Sequence, residues 1–108
     1  MKLDLGGIAK GYITDQVKKV LVKDGVTSAI IDLGGNVYVL GPSPTNHSNW
    51  TVGIQDPKKS RGTAIGSIPE MNKTIVTSGI YERYLKVGKT VYSHLMDPKT
   101  GYPFQNNL

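Results

Sequence analysis

The first regular pattern of apolar residues lies between Ile8 and Lys23, where the spacing is that of one face of an amphipathic helix. The apolar positions of this face are Ala9, Ile13, Val17, Val20 and Leu21. Asp24-Gly25 follows, and glycine suits the left-handed position after the last helical turn. The pattern therefore predicts one helix that ends near Lys23.

After the helix, the pattern changes to short runs rich in β-branched residues. Val26 to Leu33 and Val37 to Leu40 are two such runs, and Gly34-Gly35-Asn36 joins them. A tight glycine turn between β-branched runs is typical of a hairpin. We therefore expect two antiparallel strands here.

The remaining strand-like segments are separated by turn residues. They are Trp50 to Pro57, Thr63 to Pro69, Lys73 to Gly79, and a hairpin around Val87-Gly88-Lys89. One helix and about six strands with short connections predict the α+β class, with the helix packed on a largely antiparallel sheet. A length of 108 residues predicts a single domain.

The net charge of +5 favours anionic partners such as phosphates and nucleotides. The basic residues are scattered and do not interleave with aromatic residues, so we expect no nucleic-acid partner. The chain contains no cysteine, which excludes disulfides and thiolate metal sites. No apolar stretch is long enough to cross a bilayer, and we find no signal-like region.

The segment 3–12, "LDLGGIAKGY", is the first candidate site. Gly6-Gly7 before a helix can bring backbone N–H groups toward an anion, and Lys10 can reach the same anion. Alternatively, the glycines permit a sharp strand-to-helix turn while Asp4 caps free N–H groups. For a Gly-Gly pair taken alone, the residues favour the second interpretation.

Two further clusters carry candidate chemistry. In residues 77–84, "TSGIYERY", Arg83 and backbone amides can bind phosphate oxygens, although solvated charges on a strand edge explain the same pattern. In residues 92–103, "YSHLMDPKTGYP", His94 lies close to an Asp97 turn. This histidine is either a general base or a partly buried structural residue.

The order and wording of these segments closely resemble the ApbE family, flavin transferases that move FMN from FAD onto a threonine or serine of a partner protein. The resemblance runs from Leu3 to Pro103. It is carried by "LDLGGIAKGYITDQV", "IIDLGGNVYVLG", "WTVGIQDP", "VTSGIYERY" and "YSHLMDPKTGYP".

The resemblance implies FAD as substrate and Mg²⁺ as metal. It implies that Asp4 and Lys10 contact the flavin nucleotide, and that the backbone of Gly7 lies beside the Mg²⁺ on the pyrophosphate. Leu95 would touch the nucleotide, and His94 would lie near the reacting centre as the base.

By the same resemblance, Ser78 and Arg83 would shape the cleft. The implied picture is a diphosphate bound at the first turn of the helix. We expect His94 and Lys10 to border the same cavity.

Departures from the family pattern bear on how much of the site is present. Segments that the family carries before and after this region have no counterpart in the sequence, so we expect residues 1–108 to be a core fragment, inactive alone. The family also suggests an exported, lipid-anchored envelope protein, yet no signal or anchor is visible. The alternative function is a non-catalytic flavin- or nucleotide-binding module. Unpaired strand edges in a fragment predict self-association.

Overall fold

The structure, a computed structural model, describes residues 1–60, 62–77 and 84–104. In this part of the chain there are one helix and seven strands, in line with the one helix and about six strands expected. Their bounds are α1 Ala9–Lys23, β1 Ala29–Asp32, β2 Asn36–Leu40, β3 Trp50–Gln55, β4 Ala64–Glu70, β5 Lys73–Val76, β6 Tyr84–Val87 and β7 Thr90–Ser93. The chain forms two compact units, Met1–Thr77 and Ser78–Leu108. A single domain over residues 1–108 stays a prediction.

Helix α1 has nearly the predicted bounds. It begins at Ala9, one residue later than expected, and ends at Lys23. The N–H of Asp24 donates to the carbonyl of Val20 at 3.0 Å. Gly25 then adopts a φ of +82°, the left-handed conformation that glycine takes without a steric penalty. The predicted glycine stop is therefore confirmed.

The predicted hairpin is also present, and it forms two strands of a three-stranded sheet in the order β1-β2-β5, with β2 in the centre. Both strand pairs are antiparallel, with Asp32 opposite Val37 at the closed end of the hairpin. β1 is shorter than predicted, because only residues 29–32 pair with β2. The α+β class with antiparallel pairing is confirmed.

The face of α1 that packs on this sheet matches only in part the apolar face that the spacing selects, of which Leu21 packs on the core. Ile13 and Val20 of that face are 47% and 58% exposed, whereas Thr14 is only 2% exposed. The helix lies on the sheet through Lys10, Thr14 and Lys18, which follow one another at intervals of about one turn. The Nζ of Lys10 contacts the β1–β2 turn, and the Nζ of Lys18 lies 4.8 Å from the centre of the Tyr38 ring.

The small core of the first unit lies between α1 and the sheet. Its buried members are Ile31, Tyr38 and Leu40, packed by the half-buried Leu21, Val26, Ala29 and Leu33. β3 and β4 form a separate antiparallel pair in the same unit. The Nε1 of Trp50, at the start of β3, donates to the carbonyl of Gly41 at 2.9 Å, which ties this pair to the end of β2.

The second unit contains the hairpin predicted around residues 87–89. β6 and β7 are antiparallel, and Gly88 in the connecting turn has a φ of +61°. Beyond the hairpin, Met96 and Pro103 form a bridge that closes the 97–102 loop. None of the described residues forms a helix long and apolar enough to cross a bilayer.

Candidate functional site

The segment before α1 is organised by Asp4, although not as a helix cap. The N–H of Gly6 donates to Asp4 Oδ1 at 2.7 Å, so the carboxylate closes a local turn. Ile8 is the N-cap residue, and no side chain caps this end of the helix. The interpretation of Asp4 as the helix cap is therefore wrong, because its carboxylate is held two residues ahead, outside the helix.

The glycines of this segment are not explained by backbone conformation. No strand precedes the helix, and neither Gly6 nor Gly7 has a positive φ. The predicted strand-to-helix turn is thus absent. A Cβ at Gly6 would lie 2.9 Å from Asp4 Oδ1, whereas one at Gly7 would have no heavy atom within 4 Å. The backbone of Gly7 is therefore open to a group that approaches from outside.

Lys10 lies in the first turn of α1 and reaches to the β1–β2 turn. Its Nζ donates to the carbonyl of Gly34 at 3.1 Å, at an exposed position. No acidic residue lies in the first turn of the helix. The positive end of the helix dipole and the lysine ammonium therefore add, which is the electrostatic environment that favours a bound phosphate.

Asn36, directly after this turn, is a buried polar residue whose side-chain oxygen is unpaired within the described ranges. It is 5% exposed, and its Oδ1 has no hydrogen-bond partner among the residues that the structure describes. An unpaired buried acceptor costs about 1–3 kcal/mol, so such atoms are uncommon and call for a structural or functional reason. The first turn of α1 and the 32–36 segment together form the candidate site of the first unit.

In the second unit, the segment around His94 is held by short hydrogen bonds. The N–H of Leu95 donates to Ser93 Oγ at 3.0 Å, and the N–H of Lys99 donates to Asp97 Oδ1 at 2.8 Å. The aspartate turn predicted from the sequence is therefore confirmed. Its effect is to fix the backbone on either side of His94, which is itself exposed.

An open, mostly apolar pocket of about 670 Å³ lies at this end of the second unit. It is lined by Tyr84, Leu85, Val87, Tyr92, Ser93, His94, Met96 and Pro103. A concave apolar surface with a few polar groups at its margin is the usual form of a small-molecule site. His94 supplies an imidazole to this pocket.

A Mg²⁺ ion prefers several oxygen ligands. Within the described ranges, no three His, Cys, Asp or Glu side chains lie close enough together to hold a metal ion. Gly7 can offer only one backbone oxygen. The described residues alone therefore do not form a magnesium site.

The predicted site residues fall into two groups. Asp4, Gly7 and Lys10 lie together at the start of α1, and His94 and Leu95 lie together after β7. The other two predictions, Ser78 and Arg83, lie outside the described residues. A cavity shared by His94 and Lys10 stays a prediction.

Sequence reasoning missed the contribution of Asp32 and Gly34 to the first group. The signal was present, because Asp-Leu-Gly-Gly occurs at residues 4–7 and again at residues 32–35. The surrounding residues do not recur, so the sequence alone does not indicate that the two copies lie close together. Only the packing of α1 on the sheet brings Lys10 to the second copy.

Comparison with known proteins agrees with this architecture. The crystal structure of the ApbE protein from Thermotoga maritima matches with a TM-score of 0.83 and 37% identity, covering 94% of this chain and 32% of that chain. The FAD:protein FMN transferase of Klebsiella pneumoniae (strain 342) is 44% identical over 108 residues, which is 100% of this chain and 32% of that protein. The FAD:protein FMN transferase of Treponema pallidum (strain Nichols) is 36% identical over 115 residues, again 100% and 32%.

These likenesses place the chain in a class of proteins with the fold of the Thermotoga ApbE protein. The sequence profile of the ApbE family matches residues 1–108. The chain belongs to the ApbE family. It spans about a third of the length of the relatives it matches, 32% for both transferases described above.

Proposed function

We propose that this chain is part of an FAD:protein FMN transferase and supplies a portion of its flavin-nucleotide site. The observation that carries the proposal is the position of Lys10 in the first turn of α1, where its ammonium donates to the Gly34 carbonyl and forms no ion pair with the described residues. Two relatives that match the full length of the chain are named FAD:protein FMN transferase. An exposed cation at a helix N-terminus is suited to the diphosphate of FAD.

The proposed reaction replaces the phosphoanhydride bond of FAD by a phosphate ester to the acceptor protein. The hydroxyl oxygen of a threonine or serine on the acceptor protein attacks the phosphorus on the FMN side of the FAD diphosphate. The bond from that phosphorus to the bridging oxygen breaks, and AMP leaves with the bridging oxygen. The hydroxyl proton passes to a base. Positioning and charge stabilisation supply most of the catalysis in such transfers.

Each group of site residues has a proposed role in this reaction. Lys10 binds diphosphate oxygens and stabilises the charge that develops on them. Asp4 and Leu95 contact the nucleotide, and His94 accepts the hydroxyl proton. The roles of Ser78 and Arg83, in shaping the cleft, stay predictions from the family resemblance.

Magnesium dependence belongs to the same proposal. The resemblance implies Mg²⁺ beside Gly7, but the described residues do not form a site for it. The prediction is that other residues supply the side-chain ligands.

A chimeric enzyme tests the proposed function. The matching 108 residues of the Klebsiella relative would be replaced by this sequence, and FMN transfer to an acceptor protein would be followed by in-gel flavin fluorescence. We expect the chimera to transfer FMN and Lys10→Met to weaken FAD binding about 10- to 100-fold, because a hydrogen bond to a charged group is worth about 1.5–3 kcal/mol. Lys19→Met is the matched control, because Lys19 is an exposed residue of the same helix and lies next to the packed Lys18.

The outcome that contradicts the proposal is a folded chimera that transfers FMN equally well with and without the Lys10 ammonium. A folded chimera that neither binds FAD nor transfers FMN also contradicts it.

The role of His94 as the base is tested in the same chimera, with the other histidine of the sequence, His47, as the control. We expect His94→Asn to lower kcat about 10²- to 10⁴-fold with little change in KM for FAD, as for loss of a general base. His47→Asn is the control, because His47 has a positive φ of 52° that asparagine tolerates. An undiminished kcat in His94→Asn would rule out His94 as the base.

The second candidate function is a flavin- or nucleotide-binding module without turnover. It is favoured for the 108 residues taken alone, because the described ranges hold no cluster of metal-ligating side chains. We expect FAD binding but no covalent flavin on an acceptor when this chain alone is assayed with FAD and Mg²⁺. A fluorescent acceptor band would refute this inactivity.

The proposal also includes self-association of the chain and a location in the cell envelope. Within the described sheet, β1 and β5 each have one unpaired edge, and such edges recruit other strands. We expect the chain to form oligomers in light scattering, and a monomer across concentrations would contradict this. The envelope location rests on the family resemblance alone.

A further inference from the structure

The contact between Lys10 and Gly34 joins two distant parts of the chain. The Nζ of Lys10 donates to the Gly34 carbonyl across 24 positions of sequence, at 3.1 Å. A Cβ at Gly34 would lie 3.6 Å from the same nitrogen. A long, exposed lysine side chain that is held at its tip loses less conformational freedom when it binds a ligand. This contact therefore preorganises the Lys10 ammonium for a ligand.

The turn that holds Lys10 is itself built by a side chain. Asp32 Oδ1 accepts the N–H of Gly35 at 3.2 Å. Gly34 and Gly35 have φ values of +62° and +88°, a left-handed backbone that glycine adopts readily. The direction of the Gly34 carbonyl is thus set by Asp32 and by the two glycines.

The charge of Lys10 is not neutralised by this contact. The ion pairs in the described part of the chain are Lys59–Asp56 and Lys73–Glu70, and neither involves Lys10. An ammonium has three donors, and one of them is directed to the carbonyl of Gly34. A cation held by a neutral dipole keeps its full charge and two donors for an anion.

We propose that the 32–35 turn is a positioning element of the nucleotide site, in which Asp32 fixes the Gly34 carbonyl and that carbonyl presents the Lys10 ammonium to the diphosphate of FAD. This inference rests on the proposed function for its ligand. Asp32 and Gly34 act through Lys10 and do not themselves contact the reacting phosphorus.

A matched pair of substitutions tests the role of Asp32. Asp32→Asn and Asp32→Ala both remove the negative charge, but only the asparagine keeps an oxygen that accepts the Gly35 N–H. FAD affinity of the whole chain would be measured by flavin fluorescence quenching. We expect Asp32→Ala to bind FAD about 3- to 10-fold more weakly than Asp32→Asn, the range of coupling between groups in one hydrogen-bond network.

The same pair is then measured in the Lys10→Met background. If the turn acts through Lys10, Asp32→Ala and Asp32→Asn bind FAD equally there. A ratio that persists without the ammonium would show that Asp32 acts by general stability, and it would overturn the proposal.

A ligand-free measurement separates this inference from the proposed function. In ¹³C,¹⁵N-labelled chain, we expect Lys10→Met to shift the Gly34 carbonyl signal and Lys19→Met to leave it in place. An unmoved Gly34 signal in Lys10→Met would show that Lys10 does not contact the Gly34 carbonyl, and it would overturn the proposal. A moved signal together with a folded chimera that neither binds FAD nor transfers FMN would instead overturn the proposed function, and with it the presentation of Lys10 to a nucleotide.

Discussion

Two lysines on the packed face of α1 have different partners. Lys10 contacts the Gly34 carbonyl, whereas Lys18 lies over the ring of Tyr38, which is 5% exposed. An ammonium over an aromatic face gains electrostatic energy from the ring. The first contact leaves a cation available for a ligand, and the second anchors the helix to the core.

The pKa of Lys18 records this second contact. Hydrogen bonding and charge interaction with the Tyr38 side chain raise it above its ordinary value of 10.5. Because the pKa is higher in the folded chain, the stabilisation is present below pH 10.5 and is lost as the pH rises through the raised pKa. We expect NMR titration of the Lys18 side chain to show this elevation.

Tyr38→Phe is the control for Lys18, because it keeps the ring and removes the hydroxyl. The pKa of Lys18 should then move back toward 10.5. An unchanged pKa in Tyr38→Phe would assign the elevation to another group, such as Asp15.

At the scale of elements, the packing of α1 leaves an apolar stripe on its outer side. Ile13, Val17 and Val20 are all more than a third exposed, and the buried contact runs through Thr14 instead. Burial of apolar area stabilises a fold roughly in proportion to that area. The outer stripe should therefore add little to the stability of the first unit.

Urea unfolding followed by the fluorescence of Trp50 tests this packing. We expect Ile13→Gln to lower the free energy of unfolding by less than about 1 kcal/mol. Ile31→Ala, in the core, should lower it by about 2–5 kcal/mol. Equal losses for the two variants would place the apolar stripe against the core and contradict the observed packing.

Much of the element pattern was predictable because its signals are local. Glycine turns at residues 34–35 and 88 fix hairpins by backbone conformation, and Gly25 fixes the end of the helix. The buried face of α1 was predictable from spacing only in part, at Leu21. It depends on Lys10 and Lys18, whose partners come from another element and whose side chains a hydropathy pattern counts as solvent-exposed.

At the scale of the whole molecule, the roles of the two predicted site segments stay predictions, and the sequence did not indicate how the first segment is connected to the β1–β2 turn. The start of α1 and the His94 loop were singled out by residue type, and the aspartate turn after His94 was predicted with its hydrogen bond. The contribution of Asp32 and Gly34 depends on tertiary packing, so no local pattern contained it. The family profile spans both segments, since it matches residues 1–108, and their joint action on one nucleotide stays a proposal.

The most direct test of the account is a titration of FAD into the isotope-labelled chain, followed residue by residue by NMR. We predict that the amide signals of Gly7 and Lys10 and the ring signals of His94 shift together, with one dissociation constant, and that Lys10→Met weakens all of these changes. If FAD at saturating concentration leaves the signals of Gly7 and Lys10 in place, the diphosphate does not bind at the first turn of α1, and the central claim is wrong.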